Sequence, residues 1–107
     1  MKTRSTVIQS LLLCSLCCAT QAAEIDGLRV WSGPESTRVV FDLSTATTHR
    51  IFSLDSPNRI VIDLPQTNMS STAAPPELRG FVSGVRTGAR PEGALRVVLD
   101  LTQAVRP

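Results

Sequence analysis

The 107-residue chain contains one histidine, no tyrosine, one tryptophan and a single lysine, Lys2, and each shortage closes a class of function. Zinc catalysis needs about three protein ligands and an open position for water. His49 is the only imidazole, and the three cysteines, Cys14, Cys17 and Cys18, all lie near the N-terminus. A serine or cysteine hydrolase is equally excluded, because there is no Gly-x-Ser-x-Gly elbow and no thiol after Cys18. No glycine loop suits a phosphate, since Gly80 and Gly84 flank a strand pattern and do not open a helix. Trp31, Phe41, Phe52 and Phe81 are too few aromatics for a sugar-stacking groove, and Trp31 reads as a partly buried strand-end residue before it reads as a glycan platform.

Charge is also scarce in the sense that matters for nucleic acid. Eleven basic side chains face nine acidic ones, but with Lys2 and Arg4 set aside nine of each sign remain. A neutral domain has no broad basic field, so no nucleic-acid partner is expected. Those remaining bases are all arginines, whose rigid guanidinium forks suit local, bidentate recognition of carboxylates.

Lys2 and Arg4 belong to a segment with the layout of an address. A basic start precedes an apolar run from Val7 to Cys18, and small residues follow at Ala19, Thr20, Ala22 and Ala23. The run is too short for the roughly 20 residues of a membrane-spanning helix and matches a secretory signal. The expected division is a signal at residues 1–22 and one small domain at residues 23–107, with no stable membrane anchor. Since every cysteine falls in the signal, the domain forms neither a disulfide nor a thiolate metal site.

The domain is dominated by one phrase written three times. "TRVVFDLS" (Thr37–Ser44), "NRIVIDLP" (Asn58–Pro65) and "LRVVLDLT" (Leu95–Thr102) each carry Arg, an apolar alternation and Asp followed by Leu. Alternation with period two is the pattern of a half-buried strand. It places Val39, Phe41 and Leu43, then Ile60, Ile62 and Leu64, then Val97, Leu99 and Leu101 on inward faces. Arg38, Val40 and Asp42, with their counterparts Arg59, Val61, Asp63 and Arg96, Val98, Asp100, fall outward. Three further strands are expected, at about Ile25 to Trp31, Thr48 to Leu54 and Val82 to Thr87. Turns at Gly33–Glu35, Asp55–Asn58 and Arg90–Gly93 separate neighbours, and Ser70 to Pro76 reads as loop. Six short strands with tight turns predict an all-β fold, a small antiparallel β-sandwich or barrel.

The signal, the tandem "RVVFDL" and "RIVIDLP", the "GVRTG" at Gly84–Gly88 and the closing "LRVVLDL" together resemble the AMIN domain. This is the non-catalytic module at the N-terminus of periplasmic N-acetylmuramoyl-L-alanine amidases, found also in type IV pilus secretins. The resemblance implies a β-sandwich of two similar sheets that binds peptidoglycan and localises its parent enzyme to the division septum in the periplasm. It implies no cofactor in this chain, with zinc expected in the catalytic domain of the parent, and septal or envelope proteins as further partners. Alternative readings are the N-terminal module of a secretin and a stand-alone envelope interaction domain. The family usually continues with another hairpin after such a closing strand. The chain therefore reads as truncated, missing its last hairpin, with an uncovered edge expected near Arg96 to Leu101.

The outward arginines have two readings. In one, Arg and Asp of neighbouring strands form an exposed ladder, each pair contributing about 0.2–1 kcal/mol. In the other, Arg38, Arg59, Arg86 and Arg96 bind peptidoglycan through stem-peptide carboxylates.

Overall fold

The chain's strands follow the apolar alternation closely. A computed structural model describes residues 22–107, so the expected signal, apart from Ala22, and the three cysteines lie outside the described residues. Seven strands form: β1 (Ala23–Ser32), β2 (Thr37–Leu43), β3 (Arg50–Leu54), β4 (Arg59–Leu64), β5 (Thr67–Met69), β6 (Val82–Ala89) and β7 (Leu95–Leu101). They make a three-stranded sheet in the order β2-β1-β5 and a four-stranded sheet in the order β3-β4-β7-β6. The fold is the expected all-β sandwich.

Inward positions of the repeats meet in one core. Ile60, Ile62 and Leu64 of β4 and Leu95, Val97 and Leu99 of β7 pack with Ile25 and Leu28 of β1, while Val39, Phe41 and Leu43 of β2 lie partly buried against them. Ile25 and Val97 have no exposed surface at all. Removing such side chains from water is the main favourable term holding two thin sheets together.

Two expectations need correction. All strand pairs were expected to be antiparallel, yet β5 pairs parallel to β1 through Ala23, Glu24 and Ile25. This three-residue strand carries no alternation to read. It forms because the chain leaving β4 passes the free edge of β1, where Ala23 N–H donates to the Gln66 carbonyl at 3.0 Å and Ser70 N–H donates to the Ile25 carbonyl at 3.0 Å. Nor is Arg96 to Leu101 an edge: β7 is hydrogen-bonded to β4 on one side and β6 on the other. The half-buried edge strand is β2.

Candidate functional site

Each of the two sheets turns a row of arginines and aspartates outward, and register decides which of them meet. In the β1–β2 hairpin Gly27 lies opposite Asp42, Arg29 opposite Val40 and Trp31 opposite Arg38. In the β6–β7 hairpin Gly84 lies opposite Asp100, Arg86 opposite Val98 and Gly88 opposite Arg96. Even the register shift falls at the same place, between Ile25 and Gly27 in one and between Val82 and Gly84 in the other. The repeated unit is therefore a whole hairpin, with Gly-x-Arg on one strand and Arg-x-x-x-Asp on its partner.

The chemistry of this unit is a clamp. Arg29 donates from Nε to Asp42 Oδ2 at 3.1 Å and from Nη2 to Oδ1 at 2.8 Å. Arg86 makes the same fork on Asp100, at 3.0 and 2.7 Å. The clamped carboxylate lies over the glycine two residues before the arginine, closely at Gly84 and in ordinary contact at Gly27. A Cβ on Gly84 would stand 2.9 Å from Asp100 Oδ2, and one on Gly27 would stand 3.4 Å from Asp42 Oδ2.

On the four-stranded sheet the strand between the hairpins adds a third fork. Asp63 of β4 lies opposite Arg96 of β7, which donates to it from Nε and Nη2 at 2.7 and 2.8 Å. Arg59 lies opposite Asp100, but its Nη1 turns to the carbonyls of Pro57 at 2.6 Å and Asp55 at 3.3 Å. Arg50 and Arg96 both stand over the Phe52 ring, with guanidinium carbons 5.2 and 5.8 Å from its centroid. Val61, expected to face solvent, is only 2% exposed because it lies between Phe52 and Val98 in register on a face roofed by these long side chains. Arginine stems cover apolar surface in this way while their heads stay wet.

The four candidate residues are thus placed differently. Arg59, Arg86 and Arg96 share the outward face of the four-stranded sheet, whereas Arg38 belongs to the three-stranded sheet. Arg38 stacks near the exposed Trp31, 5.9 Å from the ring centroid, and is bonded to no carboxylate among the described residues. Trp31 is 51% exposed, more open than its strand-end position suggests. Sequence reading missed Gly27, Arg29, Arg50 and Phe52. The spacing of Gly two residues before Arg, present in both "GLR" and "GVR", was the signal for the first two.

These forks shift the acids they hold. Hydrogen bonding from Arg96 keeps the Asp63 carboxyl below its ordinary pKa, and hydrogen bonding from Arg86 does the same for Asp100. The same bonds push the Arg96 and Arg86 guanidinium groups further above their usual value. A carboxyl with a folded pKa below its unfolded value of about 3.9 stabilises the fold above that pH and loses its contribution as pH falls through the folded value. Urea unfolding at pH 7 and pH 3 is expected to show this acid loss in the wild type and a smaller loss in the Asp63→Asn, Asp100→Asn double variant. Solvent screening keeps the contribution of such surface pairs small. An equal loss in both proteins would assign acid sensitivity to other groups.

Among the described residues no three His, Cys, Asp or Glu side chains come together as metal ligands. No helix among them is long and apolar enough to cross a membrane. A family model, AMIN domain, matches residues 27–107. The chain belongs to the AMIN family. Two amidases are similar to this AMIN domain, both named N-acetylmuramoyl-L-alanine amidase AmiC. That of Escherichia coli O6:H1 (strain CFT073) is 27% identical over 90 residues, which cover 79% of this chain and 22% of the relative. That of Neisseria meningitidis serogroup B (strain MC58) is 26% identical over 93 residues, covering 78% and 21%. The AMIN domain therefore spans about a fifth of the length of the curated relatives it matches.

Proposed function

We propose that this AMIN domain is a non-catalytic, peptidoglycan-binding module of a periplasmic N-acetylmuramoyl-L-alanine amidase and directs that enzyme to the division septum. In this reading residues 1–22 are removed on export, and a zinc-dependent domain elsewhere in the whole protein cuts the bond between muramic acid and L-alanine. The observation that carries the reading is the outward face of the four-stranded sheet. Arg50, Arg59, Arg86 and Arg96 share that face, Arg50 and Arg96 over Phe52, on a scaffold of the family to which the amidase relatives point. Guanidinium groups held in fixed forks suit the carboxylates of stem peptides.

Arg50 and Arg59 test this best, because neither is bonded to a carboxylate among the described residues. Co-sedimentation with purified sacculi is expected to weaken severalfold between low and high salt, as screening shortens the reach of charge. The Arg50→Ala, Arg59→Ala double variant is expected to bind more weakly at low salt while its circular dichroism spectrum is unchanged. Wild-type binding by the folded double variant would remove this face as the wall contact. Incubation of the chain with zinc and labelled peptidoglycan is expected to release no stem peptide.

A further inference from the structure

An open cleft beside β2, which reaches Ile51 of the opposite sheet, is bordered by Gln103, Val105 and Pro107. A second cleft, of about 570 Å3, lies on the other side of β1 and is built from mid-chain segments. β5 pairs only with Ala23–Ile25, so Gly27–Ser32 of β1 is hydrogen-bonded to a strand on the β2 side alone. Residues 74–79 run beside this bare stretch as a strap. It is tied at one end by Ser70 N–H on the Ile25 carbonyl at 3.0 Å, and at the other by Phe81 N–H on Thr37 Oγ1 at 3.0 Å. Between those ties no backbone hydrogen bond joins it to β1 among the described residues. Pro75 and Pro76 have no N–H to give a strand edge, so the strap flanks β1 without pairing to it. A slot remains between them, with a volume in the range of small-ligand sites.

The slot carries both signs of charge and one apolar wall. Arg29 is forked to Asp42, and Arg79 donates to Glu77, yet each guanidinium keeps further N–H groups. Asp26 is exposed and makes no ion pair among the described residues. It lies at the β5 end of the slot. Arg79 lies at the other end, because Gly80, the next residue, sits against Ser32 and Thr37. The half-exposed Trp31 and the two prolines give the apolar part.

We propose that this slot binds the stem peptide of peptidoglycan as a short extended chain carrying a diamino acid, its ammonium at Asp26 and its carboxylates at Arg29 and Arg79, an inference that rests on the wall-binding reading above. The peptide lies along Gly27–Ser32, whose unpaired backbone groups supply hydrogen bonds in the manner of an added strand. Its aliphatic carbons lie against Trp31 and the prolines. Length agrees, since Gly27–Ser32 runs about 17 Å at strand rise and a peptide of about four residues spans about 13–14 Å. A strap tied at both ends admits one thin chain and excludes the sheet edge of a folded protein. An N-acetylated glycan brings no ammonium to Asp26.

The probe is the free tripeptide L-alanyl-γ-D-glutamyl-diaminopimelate, titrated into the isotope-labelled full chain with Cys14, Cys17 and Cys18 replaced by Ser. It is expected to bind saturably and to shift the backbone amides of Gly27–Ser32 and Glu77–Arg79. Acetylating the diamino acid's side-chain amine, or replacing Asp26 by Asn, is expected to weaken binding by about fivefold. The two changes together are expected to cost no more than either alone, since both remove the same contact. Asp26 is exposed, so the variant's melting temperature should stay near wild type, and the acetylated peptide tests the contact on the unaltered protein. Additive losses, or shifts confined to the four-stranded sheet, would overturn the proposal. Shifts of Gly27–Ser32 by an N-acetylglucosamine oligomer, without tripeptide binding, would assign the slot to glycan instead. Sacculi that bind a chain to which the tripeptide does not would sink this inference and leave the wall-binding reading standing. Binding of neither would reject both.

Discussion

Ile25→Ala is expected to destabilise the domain by about 2–5 kcal/mol, the range for deleting a large buried aliphatic side chain. Ile25 is wholly buried and sits where three strands join, opposite Leu43 of β2 on one side and Met69 of β5 on the other. A void there is hard to close by moving β1, because that strand is tied on both edges. Small domains have only about 5–15 kcal/mol to lose. At roughly 4–8 °C per kcal/mol for a chain of this size, the melting temperature should fall by about 10 °C or more. Ile51→Ala is the matched control, since Ile51 is 44% exposed at the open cleft and should cost less than about 1 kcal/mol. Equal costs at the two positions would mean that the core is not where the packing puts it.

Gly80→Ala is the second large effect, and it tests the tie between the two sheets. Gly80 has φ of +60°, and a Cβ there would stand 2.2 Å from Thr37 Oγ1. That hydroxyl accepts the Phe81 N–H at 3.0 Å, linking the start of β2 to the approach to β6. The left-handed backbone costs about 1–2 kcal/mol for a residue with a Cβ, and a displaced Thr37 leaves a partly buried N–H without its acceptor, worth about 1–3 kcal/mol. A total near 2–5 kcal/mol is expected by urea unfolding. In a Thr37→Ala background the same change should cost clearly less, since the 2.2 Å clash is gone and the backbone term remains with only the milder contacts to Ser32 Oγ at 3.1 Å and the residue-37 Cβ at 3.2 Å. Strict additivity would show that Thr37 is not the group displaced.

Much of this architecture was legible in the three Arg-to-Asp phrases. Alternation placed Ile60, Ile62, Val97 and Leu99 in the core, and the ladder reading anticipated Arg96 against Asp63. What alternation cannot encode is neighbour order. It says that Leu95–Leu101 is a strand but not that β4 and β6 flank it, so an edge was expected where the sheet has its centre. Val61 was misassigned for a related reason: an outward position becomes buried once Phe52 and two arginines from other strands lie across the face. The short strand β5 had no periodicity to betray it. The Gly-x-Arg half of the clamp was legible but overlooked, because its inward neighbours differ between "GLRVW" and "GVRTG" while the glycine and arginine do not.

The clamps also bear on the entropy of any later encounter with an anion. A free arginine side chain holds about 2 kcal/mol of rotamer freedom. Arg86 and Arg96 give up that freedom during folding, each held to an aspartate through Nε and one Nη. A guanidinium has five N–H donors, so each keeps others in hand after its internal fork is made. An anion arriving at this face meets donors that are already immobilised, and the ordering cost that loose surface side chains impose on association has been met in advance.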